Sequence, residues 1–288
     1  MGEWTIGILG GSGLYQIEAL EGAQRIEIDT PWGPPSDALL VGRLHGVKFV
    51  FLPRHGRGHR LPPAQVNARA NVDALKRAGC TDLVAISAVG SLREELAPGR
   101  FVVVDQFIDR TFAREKSFFG PGLVAHVSMA DPVCPRLAGR LAAAAETAGA
   151  DVARGGTYLA MEGPQFSTRA ESELYRAWGC DVIGMTAMPE AKLAREAELP
   201  YALVGMVTDY DCWRQGEEAV EVAAIIAQLT ANAGTAARMV AEFAKALPAE
   251  REASPIDTVL DTAIFTAPEA RDPAMLAKLD AVCGRVLR

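Results

Sequence analysis

The stretch IGILGGSGLY, residues 6–15, begins almost at the start of the chain and sets the first expectation for the fold. The apolar run Trp4–Leu9 predicts a β-strand, and glycines follow at positions 10, 11 and 13. A glycine-rich loop after a strand lets backbone N–H groups approach an anion closely. We therefore predict an anion site at this loop, with the Ser12 hydroxyl among its donors.

The loop does not match the common phosphate-binding motifs. A G-x-G-x-x-G motif would need glycine where Gln16 stands, which disfavours a nicotinamide-dependent oxidoreductase. A P-loop would need lysine near its end, but the first lysine of the chain is Lys48. A free phosphate fits the loop better than a dinucleotide or a nucleoside triphosphate. A tight turn at a sheet edge is the alternative that this stretch leaves open.

Short apolar runs typical of strands alternate with amphipathic stretches of helical spacing. The strand-like runs are Trp4–Leu9, Val47–Leu52, Leu83–Ile86, Phe101–Val104 and Leu203–Val207. The helical stretches are Gln65–Ala78, Pro135–Ala148, Arg169–Trp178 and Glu217–Leu247. This alternation predicts an α/β protein whose sheet has helices on both faces. We expect residues 1–247 to form one domain, and residues 248–288 to pack on it or on a neighbouring subunit, with a final helix at Met275–Leu287.

The composition is that of an acidic globular protein with 288 residues and a net charge of −7. Because no basic block of five or more residues occurs, nucleic acid and membrane surfaces are unfavourable partners. No apolar run reaches the roughly 20 residues that span a bilayer, and the N-terminus lacks a signal-peptide pattern. Five widely spaced cysteines without a CxxC pair favour a reducing compartment. We expect a cytoplasmic protein.

Polar residues stand where four of the strand-like runs end. They are Ser12 after the first run, Arg54 and His55 after the second, Ser87 (followed by the small Ala88) after the third, and Thr208 and Asp209 after the last. Open α/β sheets bind ligands at the carboxyl ends of their strands. We therefore expect these groups to meet in one crevice, although a role in a turn is the alternative for any single run.

Two of these strand ends lie in distinctive motifs. The segment PRHGRGHR, residues 53–60, carries the guanidinium of Arg54, whose fork matches two phosphate oxygens. Its glycines and arginines disfavour a zinc site at His55 and His59, and a solvated basic turn is the alternative. The segment VTDYDCW, residues 207–213, places Asp209 and Asp211 two residues apart. Burial of such a pair raises a carboxyl pKa, as a proton donor requires, and a helix cap is the alternative.

Two further segments could contact a planar ring and an anion. In MEGPQFSTRAE, residues 161–171, Phe166 could stack on a ring and Ser167 could contact its edge, although a core phenylalanine and a helix cap explain both. In GMTAMPEA, residues 184–191, Thr186 stands at a helix start, where anions bind.

Taken in order, these segments resemble the trimeric purine nucleoside phosphorylase family over about residues 5–245. The resemblance implies a single α/β domain with a mixed, twisted sheet, partly barrel-like and flanked by helices, assembled as a homotrimer. It is strongest to the pentosyltransferases of purine and methionine salvage that convert 5′-methylthioadenosine and phosphate to adenine and 5-methylthioribose-1-phosphate. Purine nucleoside or methylthioinosine phosphorylase activity is the alternative on the same fold. A hydrolytic nucleosidase would not need the basic segment.

The resemblance also implies a role for each matching residue. The expected phosphate contacts are Ser12, Arg54, His55, Ser87, Ala88 and Thr186. The expected nucleoside contacts are Met185, Tyr210, Phe166 and the two catalytic residues, Asp209 and Asp211. Asp209 would face N7 and the 6-amino group, and Asp211 would support it.

Other implied features concern specificity and assembly. Asparagine replaces Asp209 in the family's 6-oxopurine enzymes, so the carboxylate implies a 6-aminopurine. Ser167 and Val222 are expected to set specificity, and His126 is expected to reach a neighbouring subunit's site. No metal or cofactor is implied, and inorganic phosphate is the co-substrate.

Overall fold

The computed structural model describes residues 2–10, 20–214 and 222–287, apart from the side chains of Val222 and Ala224. The strands are β1 (Thr5–Gly10), β2 (Glu21–Ile26), β3 (Leu39–Leu44), β4 (Val47–Pro53), β5 (Asp82–Ser91), β6 (Phe101–Val103), β7 (Gln106–Asp109), β8 (Val152–Arg154), β9 (Thr157–Ala160), β10 (Val182–Gly184) and β11 (Tyr201–Asp209). The helices are α1 (Ala68–Arg77), α2 (Pro135–Thr147), α3 (Arg169–Ala177), α4 (Ala187–Glu196), α5 (Val222–Ala246), α6 (Pro273–Lys278) and α7 (Asp280–Leu287). Short 3-10 turns occupy Pro63–Gln65, Pro255–Thr262 and Pro268–Ala270.

One mixed sheet contains all the strands of the described ranges. Its order is β2-β3-β4-β1-β5-β10-β9-β7, and β11 also pairs with β5 and continues through β6 to β8. Strands β4, β1, β5 and β11 are mutually parallel, so their carboxyl ends share one edge. The predicted α/β class and mixed sheet are confirmed. The expected curl stops short of a closed barrel, because the described path ends at β2, β7 and β8.

Helices cover both faces of the sheet. Neighbouring residues of a strand point to opposite faces, so Ile8 packs in the core under α2 and α5, whereas Leu9 packs in the core under α1 and α4. Strand β5 is buried along most of its length, as expected for a strand covered on both sides. Within the described ranges, no helix has both the length and the apolar character needed to cross a membrane.

The predicted helices are confirmed, with small differences at their ends. Helix α1 begins at Ala68 because the side chain of Asn67 caps it, accepting the Ala70 N–H. Helix α3 begins after Thr168, which forms a reciprocal capping box with Glu171. The long predicted helix is present from Val222 onward as α5, and its positions 217–221 lie outside the described residues.

The C-terminal segment packs on the same chain. The single helix predicted at Met275–Leu287 is wrong, because α6 ends at Lys278 and α7 starts at Asp280, with the fully buried Leu279 between them. Leu279 and Val282 join the core beside α1 and α4. Arg285 forms ion pairs with Glu198 and Asp261, which fix α7 against the end of α4.

Candidate active site

Two predicted strand ends meet beside the end of β1. In the parallel register, Gly10 of β1 lies opposite both Pro53 of β4 and Ile86 of β5. Arg54 and Ser87 are the next residues along these two strands. The sheet therefore brings them to the same edge, as the sequence predicted.

A third strand end continues this edge. Strand β11 runs beside β5 until Asp209 lies opposite Gly90. A Cβ atom added at Gly90 would lie 3.1 Å from the Asp209 Oδ1 atom, so glycine leaves the space that the carboxylate occupies. The glycine loop with Ser12 follows β1 in the sequence but lies outside the described residues, and its phosphate contact stays a prediction.

Arg54 is buried at this edge, with 1% of its surface exposed. Its Nε and Nη2 atoms donate to the two carboxylate oxygens of Glu190, and further bonds go to the carbonyls of Leu9 and Ile86. Glu190 thus occupies the bidentate side of the guanidinium that the sequence analysis assigned to two phosphate oxygens. Protein acceptors fix the orientation of Arg54.

His55 is held as a neutral ring next to Arg54. Its Nδ1 atom lies 2.9 Å from the carbonyl oxygen of Leu61. Because a carbonyl can only accept, Nδ1 carries the proton in this contact and Nε2 carries the lone pair. Burial and then the charge of Arg54 lower the pKa of His55 to about 4. The ring also stacks on His59 with a centroid separation of 4.2 Å.

Two hydroxyl groups meet beside the middle of β5. The Oγ atom of Ser87 lies 3.0 Å from the Oγ1 atom of Thr186 and 3.0 Å from the carbonyl oxygen of Ala88. Thr186 precedes α4, but its side chain makes no capping bond to that helix. Its N–H donates to the hydroxyl of Tyr158 at 3.3 Å. The pair Ser87–Thr186 therefore forms a hydroxyl cluster suited to an oxyanion.

The two carboxyl groups of the VTDYDCW motif lie at the end of β11. Asp209 accepts the Thr208 hydroxyl at 2.7 Å and the Asp211 N–H at 2.8 Å. Burial raises the pKa of Asp209, although these two hydrogen bonds lower it in part. Burial raises the pKa of Asp211 as well, with a further contribution from the charge of Asp209. A carboxyl group with a raised pKa is suited to proton donation.

The segment that was expected to bind a planar ring lies against this carboxylate motif. The carbonyl of Ser167 accepts a hydrogen bond from the thiol of Cys212 at 3.2 Å. Phe166 is 48% exposed, so its ring has a free surface for stacking. Gly163 has a φ of +67°, and a Cβ atom there would lie 2.5 Å from the Met185 Sδ atom. Gly163 thus allows Met185 to touch the ring-binding segment.

Two predicted site residues contact other residues of this chain. The Tyr210 hydroxyl donates to the carbonyl of Glu94 at 3.3 Å, and its ring packs edge-on against Trp213. The exposed ring of His126 lies against Phe265, at a centroid separation of 5.8 Å. Val222 opens α5, but its side chain is outside the described part of the chain. The nucleoside contact of Tyr210, the partner contact of His126 and the specificity role of Val222 stay predictions.

Two residues that the sequence analysis did not single out organise the site. Glu190, which lies 136 positions after Arg54 in the chain, orients the Arg54 guanidinium. Arg114 is 6% exposed in its side chain and donates to the carbonyl oxygens of Met185 and Met188 at 2.6 and 2.7 Å. No local sequence pattern marks Glu190 or Arg114 as a site residue, because the groups that they bond are distant in the sequence. No group of three or more histidine, cysteine or acidic residues in the described ranges is arranged to hold a metal ion.

Comparisons with known proteins identify the family of the chain. The family model of the phosphorylase superfamily matches residues 5–245. An S-methyl-5′-thioadenosine phosphorylase of Bradyrhizobium diazoefficiens is 61% identical over 290 residues, covering 100% of both chains. The enzyme of the same name from Rhodospirillum rubrum is 57% identical, covering 98% of this chain and 97% of its own.

Solved structures resemble the whole fold. A methylthioadenosine phosphorylase from an antarctic soil metagenomic library superposes with a TM-score of 0.93 at 46% identity, covering 98% of this chain and 99% of its own. A variant adenosine/methylthioadenosine phosphorylase of Schistosoma mansoni in complex with methylthioadenosine superposes with a TM-score of 0.80 at 38% identity, covering 84% and 91%. The parallel strand ends, the full-length relatives and the family match agree, and the chain belongs to the phosphorylase superfamily.

Proposed function

We propose that this chain is a pentosyltransferase that cleaves 5′-methylthioadenosine with phosphate, releasing adenine and 5-methylthioribose-1-phosphate. The observation that carries the proposal is that a half-buried carboxyl group and a hydroxyl pair lie on one sheet edge. Asp209 lies opposite Gly90, and Ser87 stands three residues earlier on the same strand. Three strand residues span roughly 10 Å, which is the length scale of a nucleoside.

The purine would bind at the Asp209 end of this edge. Cleavage of the N9–C1′ bond leaves its electron pair on the purine, and a proton delivered to N7 neutralises that charge. A half-buried carboxyl group with a raised pKa can supply this proton, and in its ionised form it accepts a hydrogen bond from a 6-amino group. Phe166 would stack on the ring, and Met185 would lie against the ribose.

Phosphate would bind at the other end, next to Ser87, Ala88 and Thr186. Hydroxyl donors hold the anion below the sugar, where its negative charge stabilises the oxocarbenium character that develops at C1′. A phosphate oxygen then forms the bond to C1′ as the bond to N9 breaks. Arg54, whose guanidinium is oriented by its ion pair with Glu190, and the ring of His55 complete this end, with Ser12 as a further donor. Positioning of both reactants supplies much of the rate enhancement.

The proposed enzyme needs no metal or redox cofactor and works as a cytoplasmic homotrimer in purine and methionine salvage. Phe265 is 81% exposed and supports the ring of His126. An exposed aromatic pair of this kind favours contact with a second copy of the chain, whose site His126 would reach. The mass of the protein in solution tests the trimer.

The first experiment measures adenine release from 5′-methylthioadenosine with and without phosphate. Matched assays use adenosine and methylthioinosine. The proposal predicts strict phosphate dependence and a preference for methylthioadenosine. Release without phosphate identifies a nucleosidase and rejects the phosphate site. Preference for methylthioinosine retains the phosphate site but rejects the role given to Asp209.

A further inference from the structure

Every N–H donor of Arg114 has a protein acceptor. Its Nη1 atom donates to the carbonyl oxygens of Met185 and Met188, and its Nη2 atom to those of Met161 and Glu162. Its Nε atom donates to the Glu162 carboxylate at 3.1 Å. Five donors in a rigid plane thus meet five acceptors, an arrangement that only arginine provides.

These acceptors belong to two separate segments of the site. Residues 161–162 lead into the ring-binding segment with Phe166, and residues 185–188 contain Thr186 of the hydroxyl cluster. No backbone pairing in the described sheet joins Arg114 itself to either segment, because Arg114 lies in the loop between β7 and α2. The two segments follow the paired strands β9 and β10, whose last backbone bond runs from the Met161 N–H to the Gly184 carbonyl at 2.9 Å. Beyond that bond, the Arg114 side chain connects the two segments.

The loop is itself fixed beside these segments. The Glu162 carboxylate accepts the N–H groups of Phe112 and Ala113 at 2.7 and 3.2 Å. Arg114 therefore starts from an anchored backbone. When the backbone of a residue is fixed and every donor of its side chain is hydrogen-bonded, the side chain holds its contacts within a narrow range of distances and angles.

We propose that Arg114 is a positioning residue that fixes the separation between the purine end and the phosphate end of the site. The inference rests on the proposed function, since it assigns those two ends. Arg114 is not expected to touch either substrate. A shift of about 1 Å between two bound reactants costs about 100-fold in rate. The spacing that Arg114 sets should therefore affect turnover more than the binding of either substrate.

Arg114→Lys tests this role, because lysine keeps the charge but loses the planar fork. Arg251→Lys is the matched control. Arg251 is 11% exposed in its side chain and bonds Asp82 and Asp257, at the amino-terminal end of β5 and away from the site. We measure kcat, the KM of each substrate, the Kd of adenine alone and the melting temperature.

The proposal predicts that Arg114→Lys lowers kcat by about 100-fold. Both KM values and the Kd of adenine should stay within about threefold of wild type. Arg251→Lys should lower the melting temperature without lowering kcat. If Arg114→Lys lowers only the melting temperature, Arg114 is structural and the inference is rejected. A raised KM with unchanged kcat rejects it as well.

A second variant covers a failure of Arg114→Lys to fold. Glu162→Gln removes the carboxylate charge but leaves the four main-chain carbonyl acceptors of Arg114 in place, so a smaller decrease in kcat than in Arg114→Lys is expected. An unchanged kcat in Glu162→Gln overturns the inference. A wild-type protein without phosphate-dependent adenine release rejects the proposed function, and this inference falls with it. If kcat falls in Arg251→Lys but not in Arg114→Lys, the proposed function stands and the role of Arg114 is rejected.

Discussion

At the residue scale, the tautomer of His55 determines how it can meet an anion. Its Nδ1 proton is used by the Leu61 carbonyl, and Nε2 carries a lone pair in the neutral ring. Nε2 can bond a phosphate oxygen only if the ring gains a proton or the phosphate retains one. The dianion HPO4²⁻ retains one proton, so its O–H group can donate to Nε2, and the neutral ring binds the dianion without taking up a proton.

The phosphate KM should therefore change little with pH above neutrality. We expect it to stay within about threefold between pH 7 and pH 9, because no proton is taken up when the dianion binds. His55→Asn keeps a donor for the Leu61 carbonyl but loses the ring nitrogen that accepts from the phosphate, so its KM should be higher at every pH. Steady-state kinetics from pH 7 to 9 check this prediction. A wild-type KM that rises about tenfold per pH unit would show proton uptake on binding and would contradict it.

Asp209 is expected to select the base. In Asp209→Asn the amide can donate to a 6-oxo group but no longer supplies the acid proton. We expect kcat/KM for methylthioadenosine to fall by about 10²–10⁴-fold and the preference to move toward methylthioinosine. Competition between the two nucleosides measures the ratio. An unchanged ratio counts against the assigned role.

The chemical types of the site residues were predictable, but their pairing was not. Asp209, Ser87 and Arg54 follow apolar runs, so the rule for strand ends placed them on one edge. The bond from Arg54 to Glu190 joins residues 136 positions apart. Local spacing carries no information about such a contact, which depends on where α4 packs.

At the element scale, β5 is the strand on which the site is built. It carries Ser87 and Gly90, and it pairs with β1, β10 and β11. The sequence predicted only Leu83–Ile86 of it, because the small and polar residues that follow break the apolar run. Those residues continue the strand because β11 and β10 supply its hydrogen bonds, which is information from distant segments.

The remaining strands differ in how clearly the sequence signals them. Strands β8 and β10 have three residues each, which is too short for a period to appear. Strand β2 is almost wholly exposed and polar, so it has no apolar face to detect. Pairing with β3 holds it in the sheet.

Gly90→Ala tests how closely β5 and β11 control the carboxylate. The added Cβ atom would press on the Asp209 Oδ1 and Ile183 Cγ2 atoms, both 3.1 Å away. We expect a strong loss of kcat together with a destabilisation of about 1–3 kcal/mol. Thermal melting and steady-state kinetics measure the two effects.

Gly205→Ala is the control for this strand pair. The three atoms nearest to its Cβ atom would be the Val89 Cγ2 and Cγ1 atoms at 3.0 and 3.2 Å and the Val102 carbonyl oxygen at 3.7 Å. It should cost similar stability but leave kcat close to wild type. Equal losses of kcat in both variants would mean that crowding anywhere in the sheet disturbs turnover.

At the scale of the whole molecule, buried ionisable groups make stability depend on pH. Glu196 accepts the Ser117 hydroxyl and the Phe118 N–H, and burial raises its pKa to about 7. The native state therefore holds this proton where the unfolded chain, with a pKa near 4.5, has lost it. The resulting stabilisation is full below pH 4.5 and is lost as the pH rises through 7. His55 has the opposite sign, since its depressed pKa costs stability as the pH falls.

Glu196→Gln should remove the Glu196 contribution. Wild type should lose on the order of 2 kcal/mol more unfolding free energy than the variant between pH 5 and pH 8. Denaturant unfolding at the two pH values measures the difference, and His55 is common to both proteins. An equal change in both proteins would show that Glu196 is ionised throughout this range.

Four of the five acceptors of Arg114 are main-chain carbonyl oxygens. Every type of amino acid presents the same carbonyl, so the arginine imposes little on the side chains at positions 161, 185 and 188. Natural variation or laboratory evolution can thus replace pocket-lining side chains to accept another base or 5′ substituent while the frame keeps its dimensions. The protein thereby separates what it recognises from how far apart it holds the reactants.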